Sequence, residues 1–138
     1  MSYLEVSGGK LFFETTGTGR PIIFHHGYTA SHTRWDSVVG YLKSKYQCIA
    51  MDCRGTGNST HTDDGYSFEQ YTRDVITLAD HLNLESFSFA GHSMGGAIGM
   101  RLGIDYPSRV NKIILVAPIP SGGIPTTYAE KRDTDRKI

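Results

Sequence analysis

The sequence predicts an α/β fold: a mostly parallel sheet with helices on both faces. Three observations predict it. Short apolar runs, such as Ile22-Ile23-Phe24 and Cys48-Ile49-Ala50-Met51, have the unbroken character of strands buried on both faces. From residue 20 onward these runs alternate with segments of helical spacing, the pattern of a parallel sheet wrapped by crossover helices. A length of 138 residues is also enough for one domain with a core of its own.

Each element has its own signal. Tyr3 to Val6 and Lys10 to Thr15 read as two short strands turning at Gly8-Gly9. Gly17, Gly19 and Pro21 punctuate a loop before the strand Ile22 to Phe24. Trp35, Val38, Val39 and Leu42 recur at helical spacing, predicting a helix from about Ser31 to Leu42. Cys48 to Met51 is the next strand. The clearest helix runs from Phe68 to Leu82: Ser67 and Gln70 make a capping-box pair, and Phe68, Tyr71, Val75, Leu78, Ala79 and Leu82 share one face. Asn83 is placed to end it in a left-handed turn. Phe87 to Ala90 is a strand, Met94 to Tyr106 a helix stopped by Pro107, and Val110 to Val116 the last strand. The glycines of that helix, poor helix formers, suit close packing under a sheet.

Lysine plus arginine and aspartate plus glutamate each number 14. That balance argues against nucleic acid or an anionic membrane surface as the main partner. No apolar run approaches a membrane span, and the first residues lack the basic and apolar regions of a secretory signal. Cys48 and Cys53 have no second pair with which to build a zinc site and read as free thiols, so a cytoplasmic location is expected, with no metal and no cofactor.

Chemistry is concentrated in three motifs. Gly91-His92-Ser93-Met94-Gly95 follows an apolar strand and precedes a helix, the context in which a serine sits on a sharp turn as a nucleophile. The helix start beside it offers backbone N–H groups to a developing oxyanion. His26-Gly27-Tyr28 follows another strand; its glycine lets the N–H of Tyr28 face the carboxyl edge of the sheet, where ligands bind in open α/β folds. With the N–H of Met94 it would complete an oxyanion hole. The imidazoles of His25 and His26 are read as hydrogen-bonded histidines at a strand end, and Trp35 as core. Asp52-Cys53-Arg54-Gly55-Thr56-Gly57-Asn58-Ser59 fails as a dinucleotide fingerprint because Thr60 stands where a glycine is needed. It reads instead as a structural loop pinned by Asp52 and Arg54.

In that order the three motifs resemble the amino-terminal part of an α/β-hydrolase, of the lidded kind that includes esterases, lactonases and related acyl hydrolases. The likeness runs from Tyr3 to about Pro118. It implies a core domain over residues 1–118, interrupted after its sixth strand, and a remainder, residues 119–138, that is either the start of a lid or cap insertion or a disordered tail. It implies Ser93 as nucleophile, Tyr28 and Met94 as backbone oxyanion donors, and a small acyl compound as substrate. A ligand-binding or regulatory member of the same fold, and a lyase using the same serine, are the alternatives.

Half of the machinery is missing from the chain. On this fold the triad runs Ser, Asp or Glu, then His, yet all six histidines precede Ser93. Asp105 lies at the far end of the following helix, and Pro118-Ile119-Pro120 occupies the position after the last strand where some members carry the acid. The strand ending at Val116 would also be an apolar sheet edge, prone to aggregate. A complementary polypeptide carrying the rest of the fold is therefore expected, as a second chain, a cleaved segment or a further stretch of polypeptide.

Overall fold

The chain begins with a hairpin: β1 (Ser2–Val6) and β2 (Gly9–Thr16) pair antiparallel around Gly8, whose φ of 93° is the left-handed geometry a tight turn favours. The computed structural model describes residues 2–121, so most of the expected lid or tail segment lies outside the described residues. β3 (Arg20–His25), β4 (Tyr46–Met51), β5 (Phe87–His92) and β6 (Val110–Val116) complete a six-stranded sheet in the order β1-β2-β4-β3-β5-β6. β2 joins β4 antiparallel, and β4, β3, β5 and β6 run parallel to one another.

Helices cover both faces. α2 (Phe68–His81) and α3 (Met94–Asp105) lie on one, where Val75, Leu78, Ile98 and Leu102 bury against Ile23, Ile49, Phe87 and Phe89. Each such large aliphatic side chain contributes about 1.5–3 kcal/mol by leaving water. α3 sits close because it is glycine-rich: a Cβ at Gly99 would already lie 3.1 Å from Ile113 and Phe89. On the other face α1 (Asp36–Leu42) packs with Trp35 over Ile22, Phe24, Cys48, Ala50 and Ala90.

Two sequence expectations need correction. The helix expected from Ser31 to Leu42 divides into a 3-10 turn, His32–Trp35, followed by α1. The cause is tertiary: the Asp52 carboxylate takes both the backbone N–H of His32, at 2.6 Å, and its Nδ1, at 2.8 Å, fixing the first turn from across the fold. The capping box of α2 is half made. Ser67 Oγ accepts the N–H of Gln70, but the Gln70 side chain donates to Asp74 instead of reaching back. Phe68 and Tyr71, on the expected core face of α2, also line an open cavity. The other end of α2 behaves as expected: Asn83 has φ 57°, and N–H groups of Asn83 and Leu84 donate to the carbonyls of Asp80 and Ala79, a complete Schellman motif.

The loop after β4 is pinned as its sequence suggested. Buried Asp52 also accepts the N–H of Asn58 through Oδ2. Buried Arg54 forms a two-pronged pair with Asp74, Nε to Oδ2 at 2.8 Å and Nη2 to Oδ1 at 2.9 Å, tying the loop to α2. Cys48 and Cys53 are both buried and free. Among the described residues β6 pairs only with β5, and its side chains stay open: Ile114 is 48% and Val116 44% exposed.

Candidate active site

The carboxyl ends of β3, β4 and β5 converge on a cavity of about 750 Å³. Tyr28, Ser93 and Met94, the three residues singled out by sequence, all line it, together with Cys53 to Thr56, Tyr66, Phe68, Tyr71 and Ile119. Ser93 stands between β5 and α3 with φ 55° and ψ −111°. A serine held there stores strain of the order of 1–3 kcal/mol, and such strain persists only where the surroundings enforce it. Two glycines do so. A Cβ on Gly91 would overlap the Gly95 carbonyl, and one on Gly95 would overlap the His25 carbonyl at the end of β3. The Ser93 N–H donates to Val116 O at 3.0 Å, and its carbonyl accepts from Gly96 and Ile119.

Met94 is the first residue of α3, so its N–H has no acceptor within the helix. The 26–28 segment approaches Ser93 through Gly27, where a Cβ would come within 3.2 Å of both Ser93 Cβ and His92 Nδ1. A turn follows, closed by Ala30 N–H to Gly27 O with Thr29 at φ 58°. Pro118 and Ile119 pass over the start of α3, Pro118 against Gly96 and Ile119 into the cavity.

None of the histidines lines the cavity among the described residues. His25 is fully buried; burial, reinforced by neighbouring His26 and partly opposed by the hydrogen bond to the His26 carbonyl, pushes its pKa down to about 3. Its Nε2 has no partner among the described residues, so the expectation of a fully hydrogen-bonded ring holds for His26 and not for His25. His32 and Asp52 have the spacing of an acid–imidazole pair but serve the 3-10 turn, and neither lines the cavity. Burial raises the Cys53 thiol to about 11, so it stays protonated at neutral pH. Burial likewise raises the Tyr71 phenol to about 12. Among the described residues no group of three or more His, Cys, Asp or Glu side chains is placed to hold a metal ion, and no helix is long and apolar enough to cross a membrane.

Sequence reasoning missed the cavity wall of Tyr66, Phe68, Tyr71 and Ile119. Phe68 and Tyr71 carried the signal of a core face. Nothing local marked Tyr66, whose hydroxyl donates to Thr62 O across its own loop.

A strained serine between a buried parallel strand and a helix, at the carboxyl edge of a doubly covered sheet, defines an α/β protein with a strand–elbow–helix site. The chain belongs to the α/β-hydrolase fold family, whose model matches residues 20–136. It is 34% identical over 123 residues to a non-heme haloperoxidase of Rhodococcus erythropolis, covering 87% of this chain and 45% of that protein. It is 36% identical over 94 residues to 3-oxoadipate enol-lactonase 2 of Acinetobacter baylyi, covering 68% and 35%. Among solved structures, an N-acyl homoserine lactone degrading enzyme superposes with a TM-score of 0.86 at 28% identity, over 98% of this chain and 53% of the other. The chain thus spans about half the length of such relatives.

Proposed function

We propose that this chain supplies the nucleophile and oxyanion half of a serine-dependent hydrolase of esters or related acyl compounds. The observation that carries the reading is the strained backbone of Ser93, φ 55° and ψ −111°, in one cavity with Tyr28 and Met94. Ser93 Oγ attacks the substrate carbonyl, and the N–H groups of Tyr28 and Met94 receive the oxyanion. A serine hydroxyl needs a base to be a nucleophile. That base is a histidine of a complementary segment, oriented by a carboxylate of the same segment; it takes the Ser93 proton and returns it to the leaving group. Water then attacks the acyl-enzyme by the same route. A lactonase and a lactone-degrading enzyme among the relatives support an acyl C–O bond as the target. The half-length match and the open β6 support a complementary polypeptide.

Labelling with a fluorophosphonate probe followed by intact mass tests this. One adduct on Ser93, lost in Ser93→Ala, with turnover of a chromogenic ester, is the expected result. The native mass of the active species should include a second polypeptide or a longer chain. If the complete protein takes no probe, a ligand-binding member of the fold becomes the better reading.

A further inference from the structure

The cavity beside Ser93 has an aromatic wall, and the loop leading into α2 builds it. Buried Arg54 anchors that loop. Its Nη1 donates to Ser7 O at 3.2 Å and to Asp64 O at 3.5 Å, and it occupies the space a Cβ on Gly65 would need. Thr62 Oγ1 donates to the same Asp64 carbonyl at 2.6 Å. Tyr66 leaves this turn with its hydroxyl donating to Thr62 O at 2.7 Å, and a Cβ on Gly55 would lie 2.7 Å from its Cε1. The ring is thus held at its hydroxyl and along one edge, although it is 51% exposed. Phe68 and Tyr71 follow on the first turn of α2 and line the same cavity, with Met94 and Ile119.

The same cavity offers a substrate no free counter-charge. Among the described residues Arg54 is the one lining residue with an ordinarily charged side chain. Asp74 holds it in the two-pronged pair, Nε to Oδ2 at 2.8 Å and Nη2 to Oδ1 at 2.9 Å. Burial keeps the Cys53 thiol and the Tyr71 phenol protonated at neutral pH. A carboxylate entering here gives up its hydration and meets no unpaired cation. An apolar group gains from burial, and an aromatic group gains further from edge or offset contact with the rings. We propose that Tyr66, Phe68 and Tyr71 form a subsite for an uncharged, aryl-bearing group of the substrate, with Tyr66 as its specificity-determining residue. The proposal rests on the reading of Ser93 as the nucleophile of an acyl hydrolase and narrows which acyl compounds that site takes. Tyr66 is singled out by its packing. Phe68 and Tyr71 also belong to the core under α2. Tyr66 does not, so its ring can be removed without opening that core.

Ester turnover by the complete protein, followed by titration of the released acid, tests this. Methyl phenylacetate and benzyl acetate carry a ring on the acyl and the alcohol side. Methyl cyclohexylacetate and cyclohexylmethyl acetate are their saturated counterparts, and monomethyl succinate is an anionic ester. For the better aryl ester kcat/KM should exceed that of its saturated counterpart about threefold to tenfold. It should exceed that of monomethyl succinate at least about a hundredfold. Tyr66→Ala should bring the aryl-to-saturated ratio to about one, while Tyr66→Phe, which keeps the ring, stays within about twofold of the wild-type ratio. A merely structural role would lower both esters of a pair together; an unchanged ratio in Tyr66→Ala overturns the proposal. So does monomethyl succinate hydrolysed as fast as the aryl ester. Binding of phenylacetamide to the Ser93→Ala protein, read from the ring-proton shifts of Tyr66, Phe68 and Tyr71, decides the subsite apart from turnover. Shifts with phenylacetamide and none with the anionic succinamate are expected; equal shifts with both, or shifts with neither, overturn it. Wild-type protein that takes no fluorophosphonate while phenylacetamide moves those rings refutes the proposed hydrolysis and leaves the subsite standing.

Discussion

The buried imidazole of His25 should make stability fall as the pH drops into mild acid. Its ring has no room for a hydration shell, and its Nε2 is unpartnered among the described residues, so a proton there has nothing to stabilise it. A folded-state pKa below the unfolded one means that the unfolded chain binds the proton first. Stability is therefore intact above the ordinary value of 6.5 and drains away as pH falls toward about 3. Each pH unit in that window removes about 1.4 kcal/mol, giving a loss of about 2 kcal/mol at pH ~5 and about 3 kcal/mol at pH ~4. That is a large share of a small domain's total stability. The test is His25→Asn, which keeps an N–H for the His26 carbonyl but does not titrate. Urea unfolding followed by circular dichroism from about pH 7 to about pH 4 gives the two stability curves. The variant pays a fixed cost for the smaller side chain, so only the slope matters. The wild-type curve should fall more steeply by about 1.4 kcal/mol per pH unit. Parallel curves across this range would refute the reasoning.

Other consequences follow from the same packing. Ser93→Gly releases the strained backbone and should raise stability by about 1 kcal/mol, read from the urea midpoint, while abolishing probe labelling. Arg54→Met strands the Asp74 carboxylate in the interior and should cost about 3–5 kcal/mol, whereas adding Asp74→Leu should recover most of that loss; the double-mutant cycle by urea unfolding measures it. Ile114→Lys with Val116→Lys charges one face of the open strand. It should reduce self-association in sedimentation velocity while changing stability by no more than about 0.5 kcal/mol.

How far the sequence reached depended on where each signal came from. Unbroken apolar runs place strands because burial on both faces demands them of the local segment alone. The Ser93 elbow was legible because its glycines, its strand and its helix are all sequence neighbours. The Asn83 terminator was legible for the same reason. Long-range partners were not. No local pattern says that Asp52 reaches back to His32 and converts the start of a helix into a 3-10 turn. None says that Gln70 prefers Asp74 to its own cap, or that Tyr66 comes to the cavity.

Fold class, the order of the elements and the serine on its elbow were readable from residues alone, because they follow from periodicity and the steric needs of one turn. What surrounds that serine depends on long-range packing. The parallel crossovers bring the carboxyl ends of β3, β4 and β5 together, so Tyr28 and the 53–56 loop meet Ser93 and Met94 from positions far apart in the chain. The side chain of His26, read in sequence as a hydrogen-bonded histidine at a strand end, finds both partners only in the fold, with Cys53 N and Gly27 O at its two ring nitrogens.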